Sequence, residues 1–180
     1  MVKPRYMLAW KIKPMLILIL KCLFEAGADV NAKCRYGRTP LDYAVIYTAN
    51  VDVLKYLVDA GANLNTNDKD DVTLLHTAAA CTSNLDVFKY LIEQGMDVNA
   101  KDKSGQTPFH NCVECNVDLN VWKYLIAQGA DVNAKDKNGK TPMELFEPDE
   151  EWVLESDHND DFNAFMDKVQ TILGEAGGKT

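Results

Sequence analysis

Residues 105–134 read GQTPFHNCVECNVDLNVWKYLIAQGADVNA, and much of this stretch recurs in the chain at a fixed spacing. The segments GADVNA, GANLNT, GMDVNA and GADVNA begin at residues 27, 61, 95 and 129, each 34 residues after the one before. The tripeptides RTP, VTL, QTP and KTP keep the same period from residue 38. A register maintained over four copies predicts a repeat protein.

The recurring residues indicate where helices start and stop. Thr39, Thr107 and Thr141 each precede a proline, which suits a helix N-cap followed by the first helical position. Gly27, Gly61, Gly95 and Gly129 follow apolar stretches of helical period, where a helix commonly ends on a left-handed residue. Each unit is therefore predicted to be a helix, a short link, a second helix and a protruding polar loop.

The stretch 105–134 resembles the ankyrin repeat, whose pattern is G-x-T-P-L-H-x-A-A followed by L-L-x-x-G-A-D-V-N-A. The similarity is strong over residues 20–146 and weak at both ends. It implies an all-α solenoid that binds other proteins through a concave surface formed by its loops and first helices. It also implies no catalysis and no cofactor.

The period divides the chain into one domain over 1–180. Residues 5–31 are predicted to be a degenerate N-terminal cap repeat and not a signal peptide. Complete repeats are predicted at 32–65, 66–99 and 100–133. Residues 134–176 are predicted to be a C-terminal capping repeat with an acidic insertion at 147–161, closed by a helix near residues 160–173.

Several residues depart from the family pattern. The 34-residue period exceeds the usual repeat by one residue, which falls in the link between the two helices. Asp71 stands where glycine is expected, and Leu74 where proline is expected. Asp42 and Glu144 replace the motif histidine, so the threonine–imidazole bond is expected only at His76 and His110. The sites at Asp42 and Glu144 are therefore expected to be locally weaker.

Composition excludes several other classes of protein. With 47% hydrophobic and 26% charged residues in 180, the chain resembles an ordinary globular domain. The longest aliphatic run, MLILIL at 15–20, is far too short for a membrane helix. Five irregularly spaced cysteines argue against a disulfide framework. We expect a monomeric cytoplasmic protein, and secretion into a host cell is compatible with the sequence.

The candidate chemical motifs fit the repeat register better than they fit an active site. His110, Cys112 and Cys115 are possible zinc ligands, yet His110 is the motif histidine and Cys112 takes a small buried position. The segment DHNDDF at 157–162 lacks the glycine of a calcium loop. No catalytic residue and no metal site are predicted.

Charge is distributed unevenly along the chain. The net charge is −8, whereas residues 144–180 alone carry eleven acids and two lysines. The loops between repeats are mildly basic, but acids interrupt them, so a nucleic-acid partner is not predicted. The segment 147–161 contains eight acids, no lysine or arginine, and Trp152 near its middle.

The resemblance implies which residues contact a partner protein. In the family, contacts come from residues flanking the loop glycine and from the end of the first helix. Carried onto this chain, those positions are Arg35, Tyr36, Arg38, Ile46, Tyr47, Lys69, Asp70, Val72, Lys103, Ser104, Gln106, Glu114, Lys137, Asn138 and Lys140, with Ala80, Cys81 and Cys115 completing the columns. The aromatic and arginine content favours the first set, Arg35 to Tyr47.

Three other interpretations stay open at this point. The column Tyr56, Tyr90 and Tyr124 could bind a partner on the opposite face, although rings stacked on their neighbours explain it more simply. The protein could instead be an inhibitor or immunity-type protein whose acidic arm, anchored by Trp152, occupies a basic site on its partner. It could also be a fragment of a longer scaffold.

Overall fold

The computed structural model describes residues 26–115 and 118–146, together with the single positions Asp167, Thr171 and Gly174. These residues form three helix pairs followed by one short 3-10 helix, and no strand occurs among them. The predicted all-α repeat architecture is therefore confirmed. The elements are α1 Pro40–Tyr47, α2 Val51–Asp59, α3 Leu74–Cys81, α4 Leu85–Glu93, α5 Pro108–Cys115, α6 Leu119–Ala127 and the 3-10 helix Pro142–Leu145.

Side-chain caps explain where the helices begin. Thr39 and Thr73 are the N-caps of α1 and α3, and both adopt extended backbone conformations. The second helices are capped by residues whose side-chain oxygens accept a hydrogen bond from the N–H two positions on. Those caps are Asn50, Asn84 and Asp118, with N···O distances of 2.9, 3.1 and 2.8 Å. Such caps stabilise a helix by about 1 kcal/mol each.

The second helices end at the predicted glycines. Gly61 has a φ of 95°, and its N–H donates to the Val58 carbonyl at 2.9 Å. The N–H of Ala62 reaches back to the Leu57 carbonyl at 2.9 Å. This pair of bonds satisfies the last carbonyls of α2 in a Schellman motif. Gly95 and Gly129 end α4 and α6 in the same way.

The core lies between two layers of helices. Leu57, Phe88 and Trp122 of the second helices are fully buried, as are Leu75 and Phe109 of the first helices. The Phe109 and Trp122 rings meet edge to face at 6.1 Å. Each such side chain contributes roughly 1.5–3 kcal/mol by burial. The first helices of successive units pack closer together than the second helices do, so the stack curves with α1, α3 and α5 on its inner side.

Carboxylates take the place of the motif imidazole at two turns, and the expected local weakness of these turns stays a prediction. The N–H and hydroxyl of Thr39 both donate to Asp42 Oδ2, at 2.7 and 2.8 Å. Glu144 accepts the same two bonds from Thr141 at 2.7 and 2.9 Å. The backbone N–H of Thr141 is the main cause of a lowered Glu144 pKa. At both turns the carboxylate thus accepts the two donors that an imidazole nitrogen accepts at His76 and His110.

The carboxylates do lose a bond between repeats. His76 Nδ1 lies 2.8 Å from the Thr73 hydroxyl, while His76 Nε2 lies 3.1 Å from the carbonyl oxygen of Gln106 in the next loop. His110 Nε2 reaches the Lys140 carbonyl at 3.3 Å. A carboxylate has no proton to donate to such a carbonyl. The coupling of the first repeat to the second therefore lacks this bond.

Two residues other than glycine have a positive φ. Asp71 has a φ of 60° at the loop position that glycine occupies in the other repeats, as its place in the register predicts. Ala49, in the link that carries the extra residue, has a φ of 43°, which the sequence did not indicate. Such a conformation costs an L-residue roughly 1–2 kcal/mol, and less for aspartate than for most.

The last unit starts as predicted but its first helix is short. Thr141 caps a single 3-10 turn, and the backbone becomes extended at Phe146. Pro148 favours the early end, because a proline inside a helix has no N–H to donate and clashes with the carbonyl four residues before it, here that of Glu144. The Phe146 ring closes the core edge to face against Trp122 at 6.2 Å.

The predictions for both ends lie mostly outside the described residues. This applies to residues 5–25 of the N-terminal cap, to the acidic insertion 147–161 and to Trp152. Of the predicted closing helix, Asp167 and Thr171 are described and are helical. Gly174, the expected helix end, is itself helical. The Thr171 hydroxyl donates to the Asp167 carbonyl at 2.8 Å.

Candidate functional site

Four polar loops project from one edge of the helix stack, at residues 32–38, 66–72, 100–106 and 134–140; we call them loops 1 to 4. In loops 3 and 4 an aspartate side chain holds the turn. Asp102 Oδ1 accepts from the N–H groups of Ser104 and Gln106 at 2.8 and 2.9 Å. Asp136 does the same in loop 4, and Asp68 in loop 2. Loops 2, 3 and 4 therefore share one hydrogen-bonded turn.

Backbone hydrogen bonds join each loop tip to the next. The Lys69 N–H donates to the Tyr36 carbonyl at 3.2 Å, and the Lys137 N–H donates to the Ser104 carbonyl at 2.9 Å. Loops 2 and 3 are joined by the bond from Lys103 N–H to the Asp70 carbonyl at 2.8 Å. The four tips consequently form one continuous ridge along the stack.

Loop 1 differs from the others at its base. Cys34 occupies the register position of Asp68, Asp102 and Asp136, and its Sγ atom lies 3.4 Å from the N–H of Tyr36. The Tyr43 hydroxyl, 3.5 Å from Cys34 Sγ, is the main cause of a lowered Cys34 pKa. The sequence interpretation missed this pair, although the 34-residue register compares Cys34 directly with three aspartates.

Arginine and tyrosine side chains cover the tip of loop 1. The Arg35 guanidinium lies 4.6 Å from the centre of the Tyr36 ring. Arg38 Nε lies 3.8 Å from Asp68 Oδ2 in loop 2, whose side chain is nearly buried. Stacking and ion pairing hold both cations in place while leaving Tyr36 54% exposed.

The inner face of α1 continues this aromatic surface. Tyr47 is 77% exposed, and its ring stacks parallel to the Tyr43 ring at a centroid distance of 6.1 Å. Ile46 beside it is partly buried. We call Arg35, Tyr36, Arg38, Tyr43 and Tyr47 the loop 1 patch. Four of these five residues are in the predicted set, and Tyr43 is the addition.

The remaining predicted residues follow the ridge and the inner helices away from the loop 1 patch. On the inner helices Ala80 and Cys81 of α3 are exposed, as are Glu114 and Cys115 of α5. Neighbouring atoms still shield part of each cysteine thiol from water, and this partial desolvation raises the pKa of both thiols. This part of the inner face is small or polar where the first repeat is aromatic. On the loops the exposed residues are Lys69, Asp70, Lys103, Ser104, Lys137, Asn138 and Lys140, and the partly buried ones are Val72 and Gln106.

The tyrosine column on the second helices is not an open surface. Tyr90 is only 8% exposed, and burial raises its pKa. Tyr56 and Tyr124 are partly buried. Near Tyr90 an open depression of about 440 Å³ separates the start of α2 from the start of α4. Its lining mixes Lys55 and Lys89 with acidic side chains, without convergent groups of one chemistry.

His110 and Cys112 of α5 have structural roles. Both ring nitrogens of His110 bond within the protein, to Thr107 at 2.9 Å and to Lys140 at 3.3 Å. Cys112 is fully buried, in the column of Ala44 and Ala78, and burial strongly raises its pKa. Among the described residues no three histidine, cysteine or acidic side chains are grouped to hold a metal ion. None of the described helices is long and apolar enough to cross a bilayer.

Stacked helix pairs with a joined ridge of loops define a helical-repeat solenoid. The sequence model for ankyrin repeats (3 copies) matches residues 13–68 and 50–136, so the chain belongs to the ankyrin-repeat family. The resemblance found in the sequence is thereby confirmed. Proteins of this family are generally non-catalytic modules that bind other proteins.

One curated relative is similar to this chain over a short segment. An ankyrin repeat protein of fowlpox virus (strain NVSL) is 54% identical to this chain over 35 residues. The match covers 19% of this chain and 7% of the viral protein. The chain therefore spans only a small part of this relative's length.

Proposed function

We propose that this chain is a non-catalytic protein-binding module whose partner contacts the loop 1 patch and the adjoining inner helices. The observation that carries the proposal is the exposure of two tyrosines in one place. Among the described residues, Tyr36 and Tyr47 are the large hydrophobic side chains that stay exposed. Exposed aromatic groups of this kind are typical of interaction sites.

The neighbouring groups suit a binding hot spot. Tyrosine and arginine are enriched among residues whose truncation costs 2 kcal/mol or more in affinity. Arg35 is stacked on Tyr36, and Tyr47 is stacked on Tyr43, so these side chains lose little freedom when a partner binds. The tip is also fixed to loop 2 through the Lys69 N–H bond. The patch is therefore organised before binding.

The exposed tyrosine rings are not part of the hydrophobic core. Tyr36 and Tyr47 lie outside the buried cluster of Leu41, Val45 and Leu75. Their replacement by alanine should change folding stability by less than about 1 kcal/mol. The patch can thus be removed while the scaffold that presents it stays intact.

Site-specific photo-crosslinking tests the proposal. A photoreactive phenylalanine derivative at position 47 should trap a partner protein in cells, whereas the same group at the exposed position Lys123 on α6 should not. Equal yields of the same adduct at both positions would contradict the proposed surface. An adduct formed only at position 123 would move the interface to the second helices.

The acidic segment 147–161 supports a second candidate function, that of an inhibitor or immunity-type protein. Eight carboxylates without a neutralising cation would suit a basic cleft on a partner, with Trp152 as an apolar anchor. Its signature is an affinity that falls steeply with salt when the segment is present and weakly when it is replaced.

A further inference from the structure

The four loops of the ridge differ in charge, and one negative loop lies among three positive ones. Loop 1 carries Lys33, Arg35 and Arg38 without an acid, for a charge of +3. Loop 2 carries one lysine against three aspartates, for −2. Loops 3 and 4 return to +1 and +2. Read in order, the ridge is positive, negative, positive and positive.

Neutral groups hold several of the loop cations in place. The ammonium groups of Lys33 and Lys101 donate to carbonyl oxygens of the next loop, each at 3.1 Å. The ammonium group of Lys103 donates to the carbonyl oxygen of Lys69 in the preceding loop. A carbonyl fixes a cation without cancelling its charge. Among the described residues the loop cation with a carboxylate within 4 Å is Arg38, which contacts Asp68.

The acidic tip of loop 2 has an unfavourable backbone conformation. Asp71 adopts a φ of 60°, whereas Gly37, Gly105 and Gly139 occupy the same position in the other loops. Asp70 and Asp71 are both exposed. Glycine would satisfy the backbone with less strain, so the carboxylate at this position is not explained by folding.

We propose that the ridge binds a linear protein segment of mixed charge, with acidic residues opposite loops 1, 3 and 4 and a basic residue opposite loop 2. This inference rests on the proposed function, because it names the chemistry of the partner that the same surface accepts. A basic residue opposite Asp70 and Asp71 fixes the register of the segment, and like charges there reject other segments.

The dimensions of the ridge set the spacing of the charges. Packed helices lie about 8–10 Å apart, and an extended chain advances about 3.3 Å per residue. About three residues of an extended segment therefore span one repeat. A segment of about twelve residues covers all four loops.

The structure favours a polypeptide over a nucleic acid. A nucleic-acid strand carries one negative charge per nucleotide and would meet Asp70 and Asp71 in the middle of the ridge. The inner helices beside the ridge offer Ala80 and Cys81, which are small and suit side chains. A polypeptide can alternate its charges, and a phosphate backbone cannot.

The test uses the whole chain and fluorescein-labelled peptides of twelve residues made of Glu, Lys and Gly. Two peptides carry the blocks acid-base-acid-acid in the two possible chain directions, one is acidic throughout, and one carries the inverse charges. A twelve-nucleotide oligothymidine is the nucleic-acid probe. Fluorescence anisotropy at low salt should show one mixed peptide binding at least about threefold tighter than the acidic peptide, since exposed charge pairs are individually weak.

The matched variant is Asp70→Ser with Asp71→Gly, which copies the tip of loop 3, where Ser104 and Gly105 stand. Its fold is expected to be unharmed, because glycine suits the φ at position 71. In this variant the acidic peptide should bind as tightly as the mixed peptide or tighter. Lys55→Ser with Asp52→Gly on α2 is the control, and it should leave the preference unchanged.

Several results would overturn the inference. These are an acidic peptide that binds the natural chain as tightly as either mixed peptide, a preference that survives in the loop 2 variant, tightest binding of the oligonucleotide, or no peptide binding at all. None of these touches the proposed function, which is tested separately by crosslinking at positions 47 and 123 and by the affinity of the Tyr36 and Tyr47 variants. The two outcomes are therefore separable.

Discussion

Alanine substitutions at two glycines of the same backbone conformation distinguish the cost of backbone strain from the cost of a steric contact with the next loop. Gly105 and Gly139 both have a φ of 79°. A Cβ atom built at Gly105 would lie 3.0 Å from Lys137 N and 3.3 Å from Asp136 C, whereas one at Gly139 would have no atom within 4 Å among the described residues. The change Gly105→Ala therefore adds a steric contact between loops 3 and 4, and Gly139→Ala is its control.

The magnitudes follow from these contacts. A positive φ costs alanine roughly 1–2 kcal/mol, and the stiffer unfolded chain returns about 0.4–1 kcal/mol, so Gly139→Ala should lose about 0.5–1.5 kcal/mol. Gly105→Ala should lose about 1–3 kcal/mol more, because the obstructing atoms are backbone and carry the Lys137 N–H bond to Ser104. Urea unfolding followed by circular dichroism gives both free energies. Equal losses in the two variants would refute the close joining of the loop tips.

Three further predictions concern single features of the chain. Asp42→His should restore a bond to the next loop, at the Val72 carbonyl, and raise the free energy of unfolding by about 0.5–1.5 kcal/mol; an unchanged urea midpoint would contradict it. Burial lowers the His76 pKa below its usual 6.5, so folding favours the neutral imidazole. The contribution of His76 to the free energy of unfolding should be complete above pH 6.5 and should decrease as the pH falls from 6.5 towards the lowered pKa of the folded state. The change His76→Asp should remove this pH dependence. Replacing residues 149–157 by a neutral Gly/Ser loop should weaken partner binding at low salt more than at high salt if the acidic arm takes part, and identical affinities at every salt concentration would leave it a cap.

The repeat period predicted the fold because each recurring residue has an effect on the local backbone conformation. Thr39 and Thr141 cap helices, and Gly61 and Gly129 end them, and these effects act within a few residues. The periodic apolar positions then leave one way to bury Trp122 and Phe88. Helices set by such local effects can be predicted without knowing which residues make contact across the fold.

Residue type alone does not show which hydrogen-bond partners face a side chain in the folded chain, and the sequence missed features that depend on this. The expectation that Asp42 weakens its turn did not include the two bonds that its carboxylate accepts from the N–H and the hydroxyl of Thr39. Cys34 and Tyr43 were overlooked because their contact joins a loop to a helix nine residues on. The positive φ of Ala49 has no sequence signal, since the link conformation depends on how α1 and α2 pack.

The candidate surface and its favoured first set of residues were proposed from the sequence, whereas the exposure of their side chains depends on packing. The register placed Tyr36 and Tyr47 in contact columns, and their exposure relative to Tyr56 and Tyr90 emerged only from packing. The charge pattern of the ridge was visible in the sequence as an irregular basic content. Its order along one edge became clear once the loop tips were seen to be joined through Lys69, Lys103 and Lys137.

The most direct test of the proposed binding surface is the affinity of the crosslinked partner, measured by titration calorimetry with purified proteins. Tyr36→Ala with Tyr47→Ala should weaken binding by about 30-fold or more, equivalent to about 2 kcal/mol, while its melting temperature stays close to that of the natural chain. Tyr124→Ala on α6 should bind as the natural chain does. Undiminished affinity in the double variant, or a larger loss from Tyr124→Ala, would contradict the assignment of binding to the loop 1 patch.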